Sequence, residues 1–317
     1  MRALILHGGM GLRLRPLTDE FPKGFIPIRN ISSVDRILCQ LPDAITEAAI
    51  VVPAGDTVIA NCIQGSGYPL QIRQAKPSPM ESVVSYLEER DEPALVWWGD
   101  TILSLNAQKL IAHHVQSKMP ATMALWETES LRELKHWGSV TLDEEGRTEG
   151  HPVPDISPIG FIKAGAFIFD ASMAKAIRHI ATETWNMSHI LNTLLLTKQF
   201  QGYTFKGYRV NLNYGFDLLK AAQMIGVYEG ISSVVDQGAM LQGRVEIGEN
   251  VSIAAGAIIS EGVCVVNSII LDDVIIERGA TIIDSVVGPG VKIKPNTLVR
   301  RRMLTRCANK TLSQSPY

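Results

Sequence analysis

Arg2-Ala3-Leu4-Ile5-Leu6-His7-Gly8-Gly9-Met10-Gly11-Leu12-Arg13-Leu14-Arg15-Pro16-Leu17-Thr18, followed by Pro22-Lys23, is the stretch on which the reading of this chain turns. Arg2–Leu6 is an apolar run of strand length. The three glycines at positions 8, 9 and 11 allow successive backbone N–H groups to point into one concavity, a shape that receives a polyphosphate. Arg13 adds a fork of donors suited to bidentate phosphate binding, and Lys23 adds a point charge that can approach from the opposite side. The loop lacks the Gly-Lys-Ser/Thr ending of a P-loop. Taken alone, it reads equally well as a tight turn flanked by surface cations.

Outward from this loop, strand-like and helix-like runs alternate. Ala48–Val52, Ala94–Trp98, Ala121–Trp126 and Gly165–Phe169 read as strands, and Ser33–Leu41, Met80–Glu89, Ala107–Gln116 and Asp217–Val227 as helices. This alternation predicts a mixed or parallel sheet covered by helices. Gly150–Pro158, with three prolines and a glycine, reads as a loop, either facing a substrate or simply connecting elements at the surface. From Val235 the pattern changes to a period of six. Val235, Leu241, Ile247, Ile253, Ile259, Val265, Leu271, Glu277, Ile283 and Pro289 open successive hexads, and all but Glu277 and Pro289 are apolar. The fifth positions, from Ala239 to Ile293, are small or β-branched. An unbroken register of this kind predicts a parallel β-helix. The polar tail that opens with Arg300-Arg301-Arg302 has no period and reads as a cap.

Composition narrows the function. The 317 residues are 46% hydrophobic with a net charge of −2, which excludes a disordered chain and argues against a nucleic-acid binder. No apolar run reaches membrane-span length and no leader peptide is legible, so a cytoplasmic protein is expected. Cys39, Cys62, Cys264 and Cys307 are scattered without metal-ligand spacing and read as free thiols. All seven histidines lie at or before His189, so the β-helix has none.

With strand, loop and cations in this order, the chain resembles the sugar-phosphate nucleotidyltransferases, also called nucleotide-sugar pyrophosphorylases. The resemblance implies a Rossmann-like, GT-A-like mixed-sheet domain over residues 1–228, a left-handed hexapeptide-repeat β-helix over 231–300, and a cap or tail over 301–317. It implies that Leu6, His7, Gly8, Gly9, Gly11, Arg13 and Gln74 bind a nucleoside triphosphate, and that Lys23, Gly138 and Lys163 bind a sugar 1-phosphate. Arg13, Lys23 and Asp100 would be the catalytic set, with Asp100 and Asn211 holding Mg²⁺. Asp100 ends the apolar run Ala94-Leu95-Val96-Trp97-Trp98-Gly99, where ligands collect in open α/β sheets. Asn211 lies in Tyr208-Arg209-Val210-Asn211-Leu212-Asn213-Tyr214-Gly215, where many members carry Asp and the branch making UDP-N-acetylglucosamine carries Asn. Asp217 reads as the N-terminal carboxylate of the following helix.

The chain departs from the family pattern at several points. His7 stands for the usual Ala, Leu12 for Thr or Ser, and Lys163 for Asn, while the Glu-Lys pair of the sugar loop is missing. Gln74-Ala75-Lys76-Pro77-Ser78-Pro79 takes the place of a glycine-containing base-reading loop. Two functions therefore stay open: NMP transfer from an NTP to a sugar 1-phosphate, releasing pyrophosphate, or a non-catalytic regulatory or assembly paralogue. β-Helices of this type also resemble coenzyme A acyltransferases, but those call for a base, usually His, that this β-helix lacks. Homo-oligomer formation through the β-helix is the expected use of that region.

Overall fold

The computed structural model describes residues 1–66, 70–150 and 160–312 of the chain. In order, the first elements are β1 (Arg2–Leu6), α1 (Ser33–Gln40), β2 (Glu47–Val52), α2 (Thr57–Ser66), β3 (Leu70–Gln74), α3 (Pro79–Leu87), β4 (Ala94–Trp98) and β5 (Thr101–Leu103). They are followed by α4 (Ala107–Ser117), β6 (Ala121–Thr128), α5 (Leu131–Trp137), β7 (Thr141–Leu142), β8 (Thr148–Gly150) and β9 (Gly160–Phe169). Next come α6 (Met173–Ile180), α7 (Met187–Leu196), β10 (Phe200–Phe205), β11 (Arg209–Asn211) and α8 (Gly215–Glu229), before a series of two- and three-residue strands. Gly150, expected in a loop, instead ends β8, where it pairs with Thr141 of β7; the rest of that expected loop, 151–159, lies outside the described residues.

The described chain divides into two compact units. The first, Met1–Gly9 with Ile37–Arg209, is built on a seven-stranded sheet of order β10-β6-β9-β4-β1-β2-β3. β1 pairs in parallel with β2 and β4, while β9 runs antiparallel to both β4 and β6, so the sheet is mixed. One face buries Leu4, Val51, Val96, Met123 and Phe167 beneath Val83 and Leu87 of α3, Ile177 of α6 and Leu194 of α7. Phe167, Phe169 and Phe200 pack ring to ring at 5.7–6.1 Å. Burying such a side chain contributes roughly 2–3 kcal/mol relative to exposure. Even Arg2 is fully buried here, donating to Tyr86 O at 3.0 Å and pairing with Glu92 at 2.9 Å.

The second unit comprises Met10–Arg36 and residues 210–312. Its short strands stack in three parallel sheets, making a β-helix with one strand of each coil in each sheet. The register corrects the six-residue reading. Val235 pairs with Ile253 and Leu241 with Ile259, eighteen residues on, whereas Ile253 pairs with Ile270 and Ile259 with Ile276, seventeen on. One residue is lost at the corner where Val266, Asn267 and Ser268 connect two strands directly, with Asn267 in the left-handed region at φ 44°. Beyond it the inward positions are Ile270, Ile276, Ile282 and Val287, all fully buried, and this is why Glu277 and Pro289 fell out of pattern. Asn250, Asn267 and Asp284 stack along that corner, Asn250 donating to Asn267 at 2.5 Å and Asn267 to Asp284 at 2.6 Å. Short amides and carboxylates tolerate the left-handed conformation and satisfy one another there. Arg302–Leu304 continues the stack and pairs antiparallel with Asn309–Thr311, closing that end of the sheet.

The Met10–Arg36 segment is moored within this unit. Arg29, 3% exposed, donates to Ile231 O at 3.0 Å, and Asn30 donates to Ile253 O at 3.0 Å. Gly226 makes room for the arginine, since a Cβ there would stand 2.9 Å from its Nη1. Lys310 donates to Arg15 O at 3.2 Å. The β-helix unit thus fixes the segment that carries Arg13 and Lys23.

Candidate functional site

Within the first unit, Leu6, His7, Gly8 and Gly9 of the expected nucleotide residues lie at the C-terminal end of β1 and Gln74 at that of β3. β1 ends at Leu6, and Gly99 N donates to its carbonyl at 2.9 Å, while His7 N donates to Val51 O at 3.0 Å. These bonds hold the start of the glycine loop against both neighbouring strands. The His7 side chain is 4% exposed and packs beside Gly99. Gly8 faces Ala75 at ordinary contact distance, 3.9 Å, and Gly9 has open space where a side chain would stand. Gln74, at the end of β3, is exposed.

Asp100 follows β4 and accepts from Thr101 Oγ1 at 3.3 Å. Arg209 is 2% exposed, and its guanidinium lies over the Trp137 ring at 4.4 Å. Burial pushes its pKa down to about 10, opposed by the charges of Glu133 and Asp100. Trp137 is oriented by a 3.0 Å hydrogen bond from its indole N–H to Glu133. Gly138, whose φ is 74°, caps α5 by donating to Leu134 O at 3.0 Å. Lys163 donates to Asn192 Oδ1 at 2.8 Å, and burial lowers its pKa.

Within the second unit, Gly11 takes φ 62° and sits so close to Thr18 Cγ2 and Lys23 Cβ, at 2.9 and 3.2 Å from a built Cβ, that no larger residue fits. Thr18 Oγ1 donates to Gly11 O at 2.9 Å, closing the loop on itself. Lys23 is 9% exposed and its ammonium donates to Asn213 Oδ1 at 3.2 Å. Arg13 lies over the Tyr214 ring at 5.4 Å and forms no ion pair among the described residues. The structure therefore joins Gly11, Thr18, Lys23 and Asn213 in one cluster, with Arg13 resting on the residue after Asn213.

Asp217 accepts from the backbone N–H groups of Asn213 and Tyr214 at 2.9 and 2.7 Å, the geometry of a carboxylate reaching back over the start of α8. Burial raises its pKa, and those two hydrogen bonds oppose the rise. Asn213 and Arg209 were not singled out by the sequence. The alternation Arg209-Val210-Asn211-Leu212-Asn213 was the available signal, because it marks every second residue as polar in an otherwise apolar run.

No group of three or more His, Cys, Asp or Glu side chains among the described residues could hold a metal by itself. The donor chemistry nevertheless suits a hard cation. The Asn211 amide oxygen is buried without a hydrogen-bond donor among the described residues, a costly arrangement that a divalent cation would relieve.

Comparison with known proteins agrees with this chemistry. The family model described as "Nucleotidyl transferase" matches residues 2–208, and the one described as "GMPPB C-terminal domain" matches residues 231–311. The low-salt glycan biosynthesis nucleotidyltransferase Agl11 of Haloferax volcanii is 25% identical, over 92% of this chain and 94% of its own. A glucose-1-phosphate thymidylyltransferase of Streptomyces antibioticus is 26% identical, over 93% of this chain and 83% of its own. A mannose-1-phosphate guanylyltransferase of Mycobacterium tuberculosis is 26% identical, over 88% and 82%. No helix among the described residues is long and apolar enough to cross a membrane.

Proposed function

The chain belongs to the nucleotidyl transferase family, and from that premise we propose that it transfers NMP from an NTP to a sugar 1-phosphate, giving an NDP-sugar and pyrophosphate. In this reading residues 1–228 form the catalytic domain, 231–300 the β-helix and 301–317 its cap or tail. The acceptor's phosphate oxygen attacks the α-phosphorus in line, and the bond from that phosphorus to the pyrophosphate oxygen breaks. No protein nucleophile or general base takes part, because a phosphate monoester is largely dianionic near neutrality. Catalysis then rests on positioning and charge neutralisation.

Leu6, His7, Gly8, Gly9, Gly11 and Gln74 bind the nucleotide. Arg13 offers its guanidinium to the phosphates, and Lys23, steadied by Asn213, neutralises charge at the reacting centre. Gly138 and Lys163 bind the acceptor. Family members use a divalent metal, and we take it to be Mg²⁺ held by Asp100 and Asn211. When bound, it supplies charge neutralisation to the phosphates and the leaving pyrophosphate.

The observation that supports this most strongly is the loop that ends in Lys23. Its glycine is held in a left-handed conformation against the lysine, and its arginine is free of carboxylates among the described residues. A non-catalytic paralogue has no use for two preserved cations held in this way. A pyrophosphate-release screen across the common NTPs and sugar 1-phosphates tests the reaction. Release with at least one pair, abolished in Asp100→Ala, is expected; nucleotide binding without release from any pair would return the chain to the non-catalytic reading. Cytoplasmic location and self-association through the β-helix complete the proposal, the latter read from sedimentation of the intact chain.

A further inference from the structure

The core of the β-helix is covered at one end and open at the other. Its last inward residues, Ile293, Val299 and Leu304, are all buried, and Arg302–Leu304 is paired with Asn309–Thr311. At the other end, Val234–Val235, Met240–Leu241 and Glu246–Ile247 are the edge strands of the three sheets. Val235 and Leu241 hold the same inward positions as Ile253 and Ile259 one coil on, which are fully buried, yet they are 38% and 42% exposed. The difference is the coil missing beneath them.

The last turn of α8 lies at this open end. Gly215, at the start of the helix, faces Met303 and Leu312 of the covered end. Farther along, Leu219 O accepts from Asn250 Nδ2 at 3.2 Å, and Gly226 O accepts from the N–H of Ile231 at 2.9 Å, just before the first coil. Val227, 78% exposed, and the exposed Tyr228 and Ile231 therefore stand at the same end as Val235, Met240 and Leu241. The exposed surface of these six residues is roughly 600 Å² per copy, so a pair of copies that buries it reaches about 1,200 Å², the size at which specific interfaces begin.

The backbone of the edge selects the occupant. Asp236, Met240, Gln242, Glu246 and Gly248 donate their N–H groups to the second coil, each at 2.8 Å. Peptide groups alternate in direction along a strand, so Val235, Leu241 and Ile247, between them, turn both N–H and C=O outward. The six residues of these strands include one charge, Glu246, and no proline, so little blunts the edge. Outward-facing residues six apart, at 235, 241 and 247, present the same spacing from either direction, and such an edge is complemented by its own copy turned round.

We propose that two copies of this chain join end to end through their first coils, about a two-fold axis perpendicular to the β-helix. Leu241 then exchanges both backbone hydrogen bonds with Leu241 of the second copy, and Val235 does so with Ile247, extending all three sheets across the interface. The inference rests on the self-association proposed above and names its face.

Sedimentation velocity of the full chain at micromolar concentration should show a species of twice the chain mass. Val227→Lys combined with Met240→Lys alters two exposed side chains and should raise the dissociation constant about 10-fold or more, with the urea midpoint unchanged. The two-fold arrangement is read by crosslinking in a Cys39→Ser, Cys307→Ser background. Leu241→Cys should give a covalent dimer on oxidation with diamide, because Cα atoms of a hydrogen-bonded antiparallel pair lie about 5.5 Å apart, within disulfide range. Leu298→Cys, exposed on the edge strand of the covered end, should give none. Monomers at every concentration would overturn the self-association and this face together while leaving nucleotidyl transfer standing. Association undiminished by the two lysines, or equal crosslinking at the two ends, would overturn the face alone, as would no crosslinking through Leu241→Cys.

Discussion

The two units solve the same problem, burying a core, by different means. The β-helix repeats one solution: Ile253, Ile270, Val287 and Leu304 stack in register, as do Ile259, Ile276 and Ile293. The buried polar groups of its coils satisfy one another along a ladder of like residues, with Asn250 Oδ1 left over; among the described residues, the other buried side-chain atoms of this unit without a hydrogen-bond partner are Arg29 Nε, Arg36 Nε and Asn211 Oδ1, outside the coils. The sheet unit is heterogeneous. It buries Arg2 and Arg209 completely or nearly so and leaves polar atoms such as Arg73 Nε and Arg209 Nη2 without partners. Unsatisfied buried groups are expensive, and they collect where a ligand can repay the cost. Repetition gives stability, and heterogeneity gives chemistry. The Met10–Arg36 segment qualifies that division, because it carries two of the proposed catalytic cations yet is fastened to the repetitive unit.

Asp100→Ala should lower pyrophosphate release about 10³-fold while costing little stability, since the half-buried carboxylate is small and its proposed task is to neutralise charge. A large loss of stability with retained turnover would move Asp100 into the structural class. In the other direction, Ile276→Ala should destabilise the β-helix by about 2–5 kcal/mol in urea unfolding, through lost burial and a cavity in the stack. Turnover per folded molecule should be unchanged, and a cost under about 1 kcal/mol would mean the coils do not form a close-packed core.

Asn30→Ala tests the qualification. It deletes the 3.0 Å bond to Ile253 O and places alanine at φ 61°, a conformation that costs about 1–2 kcal/mol. Loosening this mooring should lower kcat a few-fold with binding of the sugar phosphate little changed. An unaltered kcat would leave the β-helix with no share in catalysis.

The smallest expected effect concerns Lys163. Burial gives it a lower pKa in the folded than in the unfolded chain, so between the lowered value and about 10.5 the unfolded chain holds more protons. Stability should therefore rise as pH climbs through that window, and Lys163→Met should abolish the rise. A flat profile in the parent chain would mean that Lys163 is solvated.

Much of this was legible beforehand, and the reasons are local. β1 and β4 fall on the expected residues, because short apolar runs bounded by glycine or proline leave little freedom in where a strand begins or ends. Gly11, Arg13 and Lys23 stood out because a backbone at positive φ, a phosphate fork and a point charge each demand a particular residue type. α5 and α7 escaped notice, since their apolar residues are too few or too clustered to show a helical period. The hexads announced a β-helix, yet counting by six overran the corner at Asn267, where the loss of one residue is set by stacking on the coil beneath.

The class of each half and the kind of ligand are legible in neighbouring residues, because turn chemistry, periodicity and charge are local properties of the chain. Folding alone brings Lys23 to Asn213, Arg209 onto Trp137, and a loop from near residue 30 to the carbonyls of Ile231 and Ile253. These pairs are separated by up to two hundred residues or more, and the energy that joins them exists only once burial has removed competing water.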